Sequence, residues 1–224
     1  MGDRKNRAVN GRIGRANKSK LIRVADLGDW KPAPVSAVSS GFMELNCILD
    51  GGFRPGELTV WSGVNSAGKS TLLTQILLEA LDQEQAVCAY SGELPDQIFR
   101  YWLELQAAGP SGVDLRASIQ AGRAVIRPVL LKAIRDWYRE RLFLCAGAQW
   151  GSMDSLMETF TEAARDYSCR VFLLDNLTIT ISGLRVRDQL RTQRELILHM
   201  VSFARELGVH VHVVVHPRKN VNPT

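Results

Sequence analysis

The chain has 224 residues, 46% of them apolar and 23% charged, which suffices for one sizeable core and is short for two. No apolar run approaches the about 20 residues of a membrane span, and the basic N-terminus lacks the apolar segment of a secretory signal, so a soluble, cytoplasmic protein with no membrane partner is expected. The net charge of +5 is concentrated in residues 1–31, where nine Lys and Arg face Asp3, Asp26 and Asp29; residues 32–224 are one unit negative, which argues against a broad basic face for nucleic acid.

In chain order, "MGDRKNRAVNGRIGRANKSK" has few large apolar residues and no sustained period. Residues 1–31 are therefore read as a basic, disordered tail and 32–224 as one domain. After an irregular lead-in, a short helix stops at Gly51-Gly52, Arg54-Pro55-Gly56 turns the chain, and a strand is expected over residues 58–62. Strands at 86–91, 142–146, 170–175 and 209–216 then alternate with helices at 69–81, 95–106, 129–141, 152–167 and 188–207. That alternation predicts an α/β fold with a mainly parallel sheet and helices on both faces. The strand candidates are nearly continuous apolar runs, as strands covered on both sides require. Cys47, Cys88, Cys145 and Cys169 lack any C-x-x-C spacing, so reduced thiols are expected rather than zinc ligands or a disulfide framework.

The chemistry starts at "GVNSAGKST", Gly63 to Thr71, between a strand and a helix. G-x-x-x-x-G-K-[ST] in that setting is a phosphate-binding loop. Gly63 permits the turn and Gly68 a close backbone approach, so N–H groups from Asn65, Ser66, Ala67, Gly68, Lys69 and Ser70 can converge on an anion at the positive end of a helix. Lys69 would neutralise the β- and γ-phosphates of ATP, the Ser70 hydroxyl would meet Mg²⁺, and Thr71 completes the set. "RVFLLDN" delivers Asp175 to a strand end, where it would hold the metal through a water; an ordinary cap or turn aspartate is the other reading. "AVCAYSGELP" leaves Glu93 at the sheet rim as the candidate base, and a solvent-facing glutamate in a first helical turn reads equally well. In "VHVHVVVHP", His210, His212 and His216 share one parity, but their spacing does not favour a metal site. The first two are expected in the core, hydrogen-bonded, and His216 at the same rim as Glu93 and Asp175, where it can touch a γ-phosphate.

"SGVNSAGKST", "YSGELP", "FLLDN" and "VVVHPRK", in this order, resemble the RecA-like P-loop NTPase motor domain of hexameric replicative DNA helicases of the DnaB group. The likeness is greatest to the branch containing the mitochondrial helicase Twinkle and phage helicase-primases, and runs over about residues 35–219. It implies ATP hydrolysis coupled to movement on DNA, single-stranded in such motors, by a homo-oligomeric ring that is hexameric in the family. It makes Lys69 and Ser70 the phosphate and Mg²⁺ ligands, Glu93 the catalytic base, Asp175 the second metal-holding acid and His216 a γ-phosphate sensor. "SSGFMELNCILDGGFRPGELTV" also resembles the entry to RadA-like and KaiC-like ATPases, so that sister group stays open, as does a shortened nucleotide-binding module with little hydrolysis. The resembled helicases continue past the sensor strand to an arginine finger, whereas this sequence stops at Thr224; a C-terminally shortened, weakly hydrolysing domain is expected, with Arg218 and Lys219 serving in part. "TITISGLRVRDQLRTQ" lies where these motors carry a DNA-contacting loop. Arg185, Arg187 and Arg191 are candidates there for phosphate contacts, and a solvated basic loop is an equal reading.

Overall fold

Five short apolar runs, β1 (Leu58–Ser62), β2 (Ala86–Ser91), β3 (Leu142–Leu144), β4 (Cys169–Asp175) and β5 (His210–Val215), pair in parallel in the order β1-β5-β4-β2-β3. This is a computed structural model, and it describes residues 24–26, 28, 37–64, 66–145, 153–176 and 186–216. The helices are α1 (Met43–Ile48), α2 (Lys69–Asp82), α3 (Asp96–Ala108), α4 (Leu115–Ala121), α5 (Pro128–Tyr138), α6 (Met153–Asp166) and α7 (Val186–Leu207). Parallel neighbours need crossovers, and the crossover helices cover both faces, as the alternation in the sequence predicts.

β4 shows how one strand feeds two cores. Val171 and Leu173 join the cluster of Leu73 and Leu77 from α2 with Phe99 and Leu103 from α3. Phe172 and Leu174 join Phe160 from α6 and Met200 and Ala204 from α7. Because β4 lies between β5 and β2, it is covered along most of its length, and Asp175 at its end is only 2% exposed. On the first face Glu104, buried on α3, accepts from Arg135 Nε and Nη2 at 2.7 and 3.1 Å and from Tyr138 at 2.6 Å, which ties α3 to α5. The Arg135 and Tyr138 hydrogen bonds hold its carboxyl below the ordinary range despite burial.

The lead-in is pinned by an antiparallel bridge between Val38 and Phe53, with N–H···O distances of 2.9 and 2.8 Å. Gly52 has φ +135°, and a Cβ there would lie 2.3 Å from the Val38 carbonyl oxygen, so a side chain would break the bridge. The bridge seats Phe53 against His212 and His210, with ring centroids 4.5 and 5.0 Å apart.

Both histidines are buried, as expected. His210 Nδ1 donates to the Arg54 carbonyl at 2.8 Å, which leaves Nε2 to accept from Thr59 Oγ1 at 3.0 Å. His212 Nδ1 accepts from Trp61 Nε1 at 3.2 Å. Burial pushes both below the usual imidazole value of 6.5, His212 well below it. The folded state thus holds them neutral while the unfolded chain binds protons below about pH 6.5. Stability should be flat above that pH and fall as pH drops through it. The urea midpoint is expected to decrease between pH 7.5 and 5.5, with His212→Leu flattening that decrease; an equal slope in the variant would contradict the assignment.

The structure departs from expectation in local detail. Residues 109–127 hold α4, which the apolar pattern does not announce because none of its residues is buried. Its signals are chemical: Asp114 accepts from the Ala117 N–H at 2.9 Å as N-cap, and Gly122 ends the helix at φ 64°. α5 ends at Tyr138 rather than 141, and the Arg141 guanidinium bonds to the Trp137 carbonyl at 2.9 Å. β3 is three residues long, and Ala146, its expected end, lies outside the described residues. Cys88, Cys145 and Cys169 are buried free thiols and Cys47 an exposed one; burial pushes Cys169 up to about 12. Of the basic tail, only residues 24–26 and 28 are described. Among the described residues no helix is long and apolar enough to cross a membrane.

Candidate functional site

The parallel topology brings the C-terminal ends of β1, β2, β4 and β5 to one edge, and the polar residues of the sequence motifs sit there. Between β1 and α2 the chain passes through positive φ at Ser66 (62°) and Gly68 (80°), a curled backbone of the kind that turns N–H groups toward an anion. Gly68 is also the N-cap residue of α2, so the helix's positive end faces the same point. The Lys69 ammonium donates to the carbonyls of Gly63 and Val64, each at 2.9 Å, and so lies over the loop. Asn65 lies outside the described residues, while Ala67 and Thr71 are exposed.

Across from the loop, the Ser70 hydroxyl donates to Asp175 Oδ2 at 2.7 Å. Asp175 Oδ1 is buried and accepts no hydrogen bond among the described residues. Burial pushes this carboxyl above its ordinary range, and the Ser70 hydrogen bond only partly opposes that. An acid buried with one unpaired oxygen beside a hydroxyl is an all-oxygen donor set that suits a hard divalent cation, so Ser70 and Asp175 fit Mg²⁺.

Glu93 lies in the turn after β2. The turn is fixed by the Gly92 N–H to the Asp175 carbonyl at 2.5 Å and the Leu94 N–H to Ser91 Oγ at 3.1 Å. Its Oε1 accepts from His216 Nε2 at 2.8 Å and from Asn176 Nδ2. The carboxylate can only accept, so His216 carries its proton on Nε2 and Asn176 presents its amide nitrogen. The Glu93 and His216 side chains are 39% and 22% exposed, so the group is reachable from solvent at the rim.

The structure thus brings Lys69, Ser70, Asp175, Glu93 and His216 to one edge, as the motifs suggest. Asn176, part of "FLLDN" but given no role by the motif, joins them through its bond to Glu93. Also unforeseen is a cavity of about 650 Å³ between α2 and α3, which opens beside Ser70 and Thr71 and is lined by Phe99, Trp102, Leu105 and Gln106. Arg185, Arg218 and Lys219 lie outside the described residues, as does the side chain of Arg187 in the first turn of α7. Arg191 pairs with Glu195 at 2.9 Å along α7.

A parallel sheet with helices on both faces, a phosphate loop between β1 and α2 and a carboxylate at the end of a central strand define a RecA-like P-loop ATPase domain. Residues 28–222 match the AAA_25 family, an AAA domain, and the chain belongs to that family. Two curated proteins are similar over shorter stretches. The DNA repair protein RadA of Halalkalibacterium halodurans is 34% identical over 87 residues, 35% of this chain and 19% of that protein. The DNA repair protein RadA of Salmonella typhimurium is 31% identical over 94 residues, 42% of this chain and 20% of that protein. The matched stretches span about a fifth of the length of these relatives.

Proposed function

We propose that the chain binds Mg-ATP at the edge formed by β1, β2, β4 and β5, hydrolyses it, and uses the cycle on DNA in an assembly of several copies. The observation that carries the reading is the convergence of the Ser70–Asp175 pair and the Glu93–His216 pair on one strand edge. In this reading the loop from Gly63 to Thr71 cradles the phosphates through its N–H groups, and Lys69 turns its ammonium from the loop carbonyls to the β- and γ-oxygens. Ser70 and Asp175 hold Mg²⁺, which when bound would neutralise charge on the β- and γ-phosphates. Glu93 takes a proton from the attacking water, and His216 reports the γ-phosphate to the segment that follows β5. The cavity beside Thr71 offers an apolar seat for the nucleoside.

The DNA part rests on the two RadA relatives and on the resemblance of "SSGFMELNCILDGGFRPGELTV" to RadA-like entry segments; a repair or recombination ATPase is accordingly our first reading. A replicative helicase motor of the DnaB and Twinkle type is the second, favoured by the strand ends "FLLDN" and "VVVHPRK". Phosphate release with and without single-stranded DNA tests the shared claim, and strand separation on a forked duplex would favour the helicase reading over the first. An ATPase rate that single-stranded DNA leaves unchanged would remove the DNA part of the proposal. Ring or filament assembly is checked by sedimentation with Mg-nucleotide.

Asp175→Asn should separate the metal's contribution from that of the fold. Removing a buried charge is expected to leave Tm in EDTA equal to or above that of the parent, while the Tm gain on adding Mg-ATP is lost. A full Mg-ATP shift in the variant would exclude Asp175 as a metal ligand.

A further inference from the structure

We propose that Asn176 is a positioning residue for Glu93, and that it keeps this carboxylate in register when His216 turns away from it. The inference rests on the reading of Glu93 as the group that takes the proton from water. A glutamate has three side-chain torsions, and Glu93 sits in a turn with 39% of its side chain exposed, so its backbone alone does not fix the carboxylate. General-base chemistry needs that carboxylate held to within about 0.5 Å. Two donors supply the constraint, Asn176 Nδ2 and His216 Nε2, and both act on Oε1. Because both act on Oε1, Oε2 is left for the water's proton.

The two donors are not equivalent. His216 follows the last residue of β5, and its side chain is 22% exposed at the rim. It can therefore exchange Glu93 for a phosphate oxygen. Asn176 directly follows Asp175 in the middle of the sheet edge and is 1% exposed. Its side chain has no comparable room to turn. The Gly92 N–H to Asp175 carbonyl bond also couples the backbone of the Glu93 turn to the end of β4, so Asn176 and Glu93 are fixed relative to each other by backbone and side chain alike. Asn176 is then the hold that persists through turnover, and His216 the one that is exchanged.

The test is a double-mutant cycle on the full chain, read as steady-state kcat and KM for ATP together with Kd for a fluorescent ATP analogue. Asn176→Leu, with the same side-chain branching and heavy-atom count but no donor, and Asn176→Ala should each lower kcat by roughly 10- to 100-fold, the scale of a misplacement of about 1 Å. KM and Kd should stay within about twofold, because the phosphate loop is untouched. In a Glu93→Gln background the same changes at Asn176 should cost no further rate. An undiminished kcat in both Asn176 variants, or an equal loss with and without Glu93→Gln, would overturn the assignment. A parallel rise in Kd would also overturn it, because that pattern belongs to general damage of the fold. Glu93→Gln turning over like the parent would instead remove the reading of Glu93 on which the inference stands.

Discussion

Lys69→Ala should weaken Mg-ATP binding by roughly 10²-fold or more and take turnover below detection, because charged hydrogen bonds to phosphate are worth about 1.5–3 kcal/mol each and this is the cation of the loop. The cost to the fold should be small. Lys69 is half-buried, and its two bonds are to the carbonyls of Gly63 and Val64, which water can reach once the side chain is removed. A fluorescent ATP analogue measures the affinity, and Tm without nucleotide reports the fold. Parent-like affinity would sink the assignment of the loop from Gly63 to Thr71 as the phosphate site.

Glu93→Gln should keep Mg-ATP binding and reduce turnover by roughly 10² to 10⁴, the range associated with a positioned general base. Glutamine keeps the length of the side chain and an acceptor oxygen for Asn176 and His216, so the hydrogen bonds to Oε1 have a counterpart in the variant. What it loses is the ability to take a proton at the second position. Single-turnover hydrolysis with the variant in excess over ATP separates chemistry from product release. Turnover that survives Glu93→Gln while Asp175→Asn abolishes it would mean that another group deprotonates the water.

Much of this site is legible in the chain itself, and the reason differs by residue. The phosphate loop is a contiguous backbone curl, so its glycines, Lys69 and Ser70 can be read from spacing alone. Asp175 and His216 each close an apolar run, while Glu93 follows one after Ser91 and Gly92 and is open to a second reading. Asn176 stands in the quoted "FLLDN", but an asparagine after a strand carries no role by itself, and its value comes from a partner 83 positions away. α4 escaped because a helix with no buried residue has no reason to show an apolar period, although Asp114 and Gly122 mark its ends.

By itself, then, the sequence determined the alternation of strands and helices and the chemistry placed at each strand end, since both depend on residues near one another along the chain. Only the tertiary structure decided that β4 lies between β5 and β2, which brings Ser70 within 2.7 Å of Asp175 across 105 positions and His216 within 2.8 Å of Glu93 across 123. Strand order and register come from helices packing on both faces of the sheet, through contacts such as Phe172 on Phe160 and Phe203. Local periodicity says which side chains turn inward but not which strand each will meet, so the pairing of the site's polar groups is a property of the packed sheet.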